Sequence, residues 1–459
     1  MPSRQDQLHS YQFMVQRVVA ALVMRETDPA QSPFRRAAGA TLASMLVAAI
    51  ALGGVMVYGV FAGGGATNWR DDQAVIVEKE SGARYVFYQD KLHPVQNYAS
   101  ALLAVGAQQP RTILVSRKSI AGVPRGIPLG IPDAPDSLPA TRQLSTQPWT
   151  VCSLSPDGDR NPRSAVFVGG SARGGMGLGE RALLAEHPDG TLYVIWRNRR
   201  HQVRNREHVL AALTWPDRGT RVAPALLNAL AAGADLAPIA IPGRGERSDE
   251  VDDATVGEVF VVASQGGGRQ YAVATRSGLA VVTEVQANLL LTENGRDEPT
   301  QLTQGSFAKA RKTPSRVPTG DGAPPASIPE LAEPTDGAIC GRVADDRGVV
   351  EVRVDAEMPN LDPPAPETAA AGKWVADHVI VEPGRGAVVE AAAAPGATGG
   401  AVSVVTDLGR RHPLSSADVL PMLGYGQVRP VRMPANLVAL VPAGGALDPE
   451  AVWPSGRPT

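Results

Sequence analysis

The chain has little cysteine, few aromatics and almost no net charge. Cys152 and Cys340 are its only cysteines, too few for a four-cysteine zinc site. They are either two separate buried thiols or one disulfide, and the compartment decides between these. A formal charge of -2 over 459 residues gives no reason to expect nucleic acid as a partner. Phe, Trp and Tyr make up 5% of the chain. No G-x-S-x-G, no H-E-x-x-H and no Cys–His nucleophile pair can be read in it. A Gly-rich stretch does occur, "VGGSARGGMGLGERALL" from Val168 to Leu184. A phosphate loop would need G-x-x-x-x-G-K-[ST]. Here Glu180 and Arg181 follow the last glycine, so the stretch reads as a mobile loop between two strands.

What is present is globular: 43% hydrophobic and 20% charged residues. The length calls for more than one lobe. With 48 glycines and 39 prolines, many turns and few long helices are expected.

One long apolar run stands out. Ala37 to Trp69 carries no charge, and its heart is Thr41 to Phe61. As a helix those residues would rise about 31 Å, enough to cross a hydrocarbon core of about 30 Å. A cleaved signal peptide would have a shorter apolar run behind a short basic leader, so a retained anchor is expected. Arg4, Arg17, Arg25, Arg35 and Arg36 precede the span. After it, Arg70, Lys79 and Arg84 face Asp71, Asp72, Glu78, Glu80 and Asp90. The basic side predicts a cytoplasmic N-terminus and an extracytoplasmic body. That oxidising location favours a Cys152–Cys340 disulfide. Its loop of 188 residues sets an entropic upper bound of about 5 kcal/mol. Within the leader, Leu8, Tyr11, Val15, Val18 and Leu22 share one helical side. This predicts a helix lying on the membrane surface or one docking on a cytoplasmic partner.

Beyond the span one unit recurs. "YQDKLHPVQNYASALL" (Tyr88 to Leu103) and "WRNRRHQVRNREHVLAAL" (Trp196 to Leu213) align His93 with His201 and Asn97 with Asn205. "VVTDLGRRHPLSSADVLPML" adds His412, and "QYAVATRSGLAVVTEVQANLLL" is a weaker copy with Leu279 at the histidine position. Starts near 85, 193, 271 and 404 are unequally spaced, so this is no regular solenoid. Each copy reads as strand, turn, strand and helix. Asp90, Asn198 and Gly409 hold the turn position and tolerate positive φ. Asn97, Asn205, Thr283 and Ser416 hold the expected helix N-cap. Three copies continue into a tail where an apolar run precedes Gly and Pro turns, as in "VPRGIPLGIPDAPDSLP", "LLNALAAGADLAPIAIPGRG" and "LVALVPAGGALDP". Such tails suit loops lying on a neighbour. His93, His201 and His412 suggest catalytic or metal-binding roles at first sight. Equivalent positions in separate copies are held apart by a fold, however, so packing or hydrogen bonding at the hairpin–helix junction is expected, with no metal and no catalytic residue.

The leader ending in "SPFRR", the single span, the four dispersed repeats and the two cysteines flanking them resemble the EccB family. That family is the membrane component of the actinobacterial type VII (ESX) secretion machinery. "GIPLGIPDAPDSLP", "DGTLYVIWRNRRHQV" and "LVALVPAGGALDP" carry the resemblance most specifically, and the likeness runs from about residue 2 to 453. Asn198 departs from the glycine usual at that turn.

The resemblance implies an α+β fold: one N-terminal transmembrane helix, then an elongated extracytoplasmic body with a central β-rich domain and four strand–turn–strand–helix repeat domains. The expected divisions are a leader (1–36), the span (37–62), repeat 1 (66–140), a first central part (141–185) and repeat 2 (186–250). A repeat 3 region (251–335), a second central part (336–395) and repeat 4 (396–459) follow. The resemblance further implies an assembly role in the bacterial inner membrane beside EccC, EccD and EccE, with homo-oligomeric contacts through the outer domain. An ATPase activity is attributed to the family, so ATP is a ligand by that attribution alone; the residues offer no nucleotide motif. An extracytoplasmic enzyme, either an ATPase or a wall-active hydrolase, and a cell-wall-binding module are the competing readings.

Overall fold

In the computed structural model, residues 3–25, 33–62, 68–154, 161–263, 267–361 and 375–454 are described. The chain divides into two compact units. One contains residues 1–71, 76–83 and 113–124; the other contains 72–75, 84–112 and 125–459.

Two helices open the first unit. Arg4–Met24 begins with a capping box in which Ser3 and Asp6 bond reciprocally. Its Leu8, Tyr11, Val18 and Leu22 are exposed. Pro33–Ala62 follows. Within it Ala38–Val57 has a mean hydropathy of 2.2 and no buried residue. Among the described residues it is the one helix long and apolar enough to cross a membrane. Its Leu42, Met45, Leu46, Ile50, Leu52 and Val55 all face outward, as side chains do when lipid is the solvent. The same unit holds a small folded piece in which the Lys79 N–H bonds the Val115 carbonyl. There the Arg117 Nε donates to Glu78 Oε1 at 2.6 Å.

The second unit is built on a six-stranded sheet. Its order is His378–Ile380, Arg163–Phe167, Trp149–Leu154, Ala338–Asp345, Gly348–Glu357, Arg173–Gly177. The two middle strands come from distant parts of the chain and pair antiparallel, with Cys152 opposite Cys340. These form a disulfide, their Cα atoms 4.0 Å apart. The apolar face of this sheet, including Trp149, Val151, Val343 and Val352, is covered by Leu226, Leu227, Leu437 and Val438 from two short helices.

The stretch read as a Gly-rich loop contains an edge strand, Arg173–Gly177, paired to Gly348–Glu357. Gly174 and Gly175 have φ of 62° and 73°. A Cβ at Gly175 would lie 2.7 Å from the Val354 carbonyl oxygen. Glycine is thus required where the strand twists against its neighbour. The composition that suggested a loop serves a strand.

Three repeats lie wholly in this unit, each with its own sheet. In the second and third, a three-stranded antiparallel meander is flanked on both sides by short parallel strands. The meanders are Leu183–Glu186, Leu192–Trp196, Arg199–Gln202 and Val259–Ala263, Arg269–Thr275, Gly278–Val282. The fourth orders Arg411–Pro413, Ala401–Val405, Ala387–Ala392, Val431–Pro434. Each therefore has a strand ahead of the expected hairpin, and the sheets of the second and fourth begin before residues 186 and 396. The tails run parallel to their own hairpins: Ala231–Ala232 pairs with Arg199–Arg200, and Leu92 bridges Arg125. Several tail N–H groups, those of Gly126, Gly233 and Gly444 among them, thereby bond within their own copy. They also touch a neighbour, since the Gly130 N–H bonds Val452 O and the Gly445 N–H bonds Asp133 O.

The repeats associate in pairs. Val209, Leu210 and Leu213 of the second pack with Val285 and Leu289 of the third. The Gln286 side chain then bonds the Ala237 carbonyl and the Ile239 N–H, at 2.9 and 3.0 Å. Between the first and fourth, the Trp453 ring lies 5.3 Å from that of Tyr88 and 5.4 Å from that of His93. The Tyr425 hydroxyl donates to Pro139 O at 2.7 Å.

Candidate functional site

The residues singled out by the repeat gather at one place in each copy, where the second hairpin strand meets the tail. His93, His201 and His412 are buried there. The Nδ1 of each lies within hydrogen-bond distance of a tail carbonyl: Ile127 at 3.0 Å, Ala234 at 2.8 Å and Gly445 at 3.2 Å. As the N–H form, each ring donates to that carbonyl. Directly across from each ring is a glycine. A Cβ at Gly126 would stand 2.6 Å from His93 Nε2. At Gly233 it would stand 2.9 Å from His201 Nε2, and at Gly444 2.7 Å from His412 Nδ1. In all three it would fall closer still to Cε1. The imidazole lies where a side chain would otherwise be, and only glycine leaves room.

The third copy shows the same rule from the other side. Leu279, aligned with the histidines by sequence, lies one pair in from its hairpin tip; the position two pairs in, where the histidines sit, is Ala280, and its partner in the parallel ladder is Thr313. Arg200 pairs with Ala232, and Arg411 bridges Ala443. One step on, His201 and His412 therefore face Gly233 and Gly444. Without the ring, the position opposite carries a full side chain.

Burial holds the His201 and His412 rings below the usual imidazole range, opposed by their hydrogen bonds to Ala234 O and Gly445 O. The Nε2 of His201 is buried without a partner. Placing a proton there would add a charge with no acceptor.

The cap positions diverge. Asn97 Oδ1 accepts from the Ser100 N–H at 2.9 Å, capping Tyr98–Val105, and its Nδ2 donates to Ile131 O at 2.9 Å. Thr283 Oγ1 accepts from the Gln286 N–H at 3.3 Å. Asn205 does not cap. At φ 56° and ψ 70° its side chain accepts from no backbone N–H of the first helical turn, and its Oδ1 accepts instead from the His208 ring Nδ1 at 2.9 Å. Ser416 does not cap either, because a turn at Ala417 and Asp418 delays that helix to Val419–Met422.

At the hairpin tips, Gln89 and Asp90 have φ of 48° and 57°, and Arg197 and Asn198 have 46° and 61°. Two positive φ values in a two-residue loop make a type I′ turn. Gly409, with φ 69°, closes a longer loop in which the Thr406 N–H bonds Arg410 O. Asn198 has a further task. Its Nδ2 donates to Val350 O at 2.8 Å and its Oδ1 accepts from the Val352 N–H at 3.0 Å. The amide behaves like a peptide group added to the edge of the central sheet. Glycine at that turn could not do this. Among the described residues, no group of three or more His, Cys, Asp or Glu side chains is placed to hold a metal ion.

The glycine partners and the Asn198 clamp were missed by reading the sequence. A signal for the glycines was available. Each tail with a histidine upstream carries a glycine at the same point of "PRGIP", "AAGAD" and "PAGGA".

Comparison with known proteins places these features in context. Residues 1–454 match the family described as type VII secretion system ESX-1, transport TM domain B. The ESX-2 secretion system ATPase EccB2 of Mycobacterium tuberculosis H37Rv is 32% identical over 305 residues. That match covers 64% of this chain and 59% of the relative, so the chain spans less than two thirds of that relative's length. The ESX-3 secretion system ATPase EccB3 of Mycolicibacterium smegmatis is 24% identical over 472 residues, covering 96% and 88%. Among solved structures, a chain of an intact ESX-5 inner membrane complex superposes with a TM-score of 0.69. Its identity is 23%, and the match covers 100% of this chain and 96% of that one. A chain of the EccB3 dimer from the ESX-3 core complex gives 0.65 at 23% identity, covering 83% and 99%.

Proposed function

Because the chain belongs to the type VII secretion family of transport TM domain B, the EccB family, we propose that it is a structural and assembly subunit of an inner-membrane secretion complex. The observation that carries this reading is the internal use of the repeat chemistry. The repeat features are used by the fold itself: three imidazoles on their own tails, two caps on their own helices, and Asn198 on the central sheet. Surfaces built this way support contacts between subunits and need no reacting group. The repeat and central domains are the bodies we assign to that task, with repeat boundaries moved to include the strands at Leu183 and Ala387.

The Pro33–Ala62 helix is the anchor in this reading, with a cytoplasmic N-terminus and an extracytoplasmic body, on the basic residues of the leader. The partners are subunits of the EccC, EccD and EccE types and further copies of this chain. The relatives carry "ATPase" in their names. Here the Gly-rich stretch offers a phosphate no lysine, and its Glu180 pairs with Arg197.

The reading is tested by solubilising membranes in mild detergent and identifying what co-purifies with the full chain. Recovery of the other membrane subunits in fixed ratio is expected. A chain that purifies alone, and that turns over ATP in proportion to its amount, would overturn the assembly reading. Protease added outside wall-stripped cells should leave a fragment of about the first 60–70 residues, the length set by the span. An untouched body would reverse the orientation.

A further inference from the structure

Beyond its assembly role, the second unit has a cleft of about 540 Å³ beside the Asn198 clamp. It lies where the tip of the second hairpin meets the turn of the central sheet and the segment from Gly320 to Ala326. Trp196, Arg197, Arg199, Asp321 and Arg347 are among the residues lining it. Three guanidinium groups and the Asp321 carboxylate line it; Arg197 and Arg347 carry acidic partners in Glu180 and Asp345, which leaves Arg199 as the lining cation without one among the described residues.

The three cations are held differently. Arg347 is bound to Asp345 through Nε, 3.0 Å from both oxygens, and through a second nitrogen at 2.6 Å. Arg197 lies over the Trp196 ring, 4.5 Å from its centroid. Its partner Glu180 is 2.9 Å away, and both side chains are largely exposed. An exposed pair of this kind is weak, so an incoming anion displaces it readily. Arg199 has no ion-pair partner among the described residues. It is fixed at its backbone by two strands, pairing with Trp196 on one side and Ala231 on the other. A planar fork on a rigid strand, beside an aromatic wall and a second guanidinium, matches the geometry of carboxylate and phosphate oxygens.

We propose that this cleft binds an oxyanion, a carboxylate or a phosphate group, with Arg199 as its principal contact, Arg197 released from Glu180 to share it, and Trp196 as the side wall. The volume exceeds that of a bare ion, so the oxyanion is one group of a larger molecule. That molecule carries it either as an acidic peptide side chain or as a phosphoryl group.

The test uses the full chain in neutral detergent micelles, titrated at low and high salt with inorganic phosphate and with an acetylated, amidated tri-glutamate peptide. Saturable binding of at least one probe, weakened by salt, is expected. R199A should weaken it tenfold or more and R197A several-fold. R218A, at an exposed residue outside the cleft lining, should change it less than twofold. Thermal unfolding of each variant separates loss of binding from loss of fold, and R197A, in an exposed turn, provides the folded comparison if R199A unfolds. Binding of phosphate alone assigns a phosphoryl ligand and binding of peptide alone a carboxylate; both support the cleft. Saturation by neither probe, or equal losses in R218A and R199A, would overturn it.

Discussion

Replacing Gly233 with alanine tests the histidine junction most directly. The new Cβ would lie 2.9 Å from His201 Nε2 and closer to Cε1, well inside van der Waals contact. The backbone at Gly233 has no left-handed φ, so alanine causes no strain of its own there. The ring must therefore move. It is fully buried and held by Ala234 O at 2.8 Å, so moving it forfeits that bond and disturbs the core beside it. Overpacking of this kind costs about 1–3 kcal/mol, and leaving buried polar groups unpaired adds about 1–3 kcal/mol. A total of about 2–6 kcal/mol is expected, lowering the transition of this repeat by at least roughly 8 °C at about 4–8 °C per kcal/mol for a domain of its size. Thermal unfolding of the full chain followed by tryptophan fluorescence would show it, with mass-mapped proteolysis to place the opening in the second repeat. Trp196, its ring 6.4 Å from that of His201, lies beside the lesion. Gly305→Ala is the control, since the nearest atom to its Cβ is 4.0 Å away. The third repeat supplies the compensating pair: H201A with G233T copies Ala280 and Thr313. The double variant should be more stable than G233T alone by at least about 1 kcal/mol, a coupling typical of residues in contact. A G233A protein that melts like wild type, or a cycle with no coupling, would refute the reasoning.

Other outcomes follow from the same geometry. His201 and His412 are held below the normal imidazole range, so the unfolded chain binds more protons than the folded one as pH falls below about 6.5. Their stabilisation is complete above that pH and is lost on acidification toward the folded values; H201L should flatten the acid side of a melting-temperature profile, and an unchanged slope would count against it. Asn97→Ala removes both a cap and the bond to Ile131 O and should cost about 1–2 kcal/mol, whereas Asn205→Ala, with no cap to lose, should cost less than about 0.5 kcal/mol; chemical denaturation of both variants would detect equal losses. Non-reducing mass mapping should find Cys152 joined to Cys340, and reduction should destabilise the body by no more than about 5 kcal/mol; two free thiols in fresh protein would exclude the bond.

The primary structure determined the features that local chemistry encodes. A charge-free run long enough to cross a bilayer declares itself by composition, because the solvent it needs is lipid. The repeats were legible because a strand, a tight turn and a helix start each demand particular residues at fixed offsets, and the motifs that carry the family lie in those same stretches. What escaped was decided by distance along the chain. His201 meets the Ala234 carbonyl 33 residues later, and Asn198 meets Val352 after 154; no periodicity reaches so far. The caps at Asn205 and Ser416 follow the same logic in reverse. The residue type suits a cap, but a left-handed backbone at one and an intervening turn at the other move the side chain from the helix end. Likewise Arg173–Gly177 has the composition of a loop, and only the close approach of the Val354 carbonyl makes its glycines those of a strand. Propensity sets what a segment tolerates, and the packing of distant segments selects among the options.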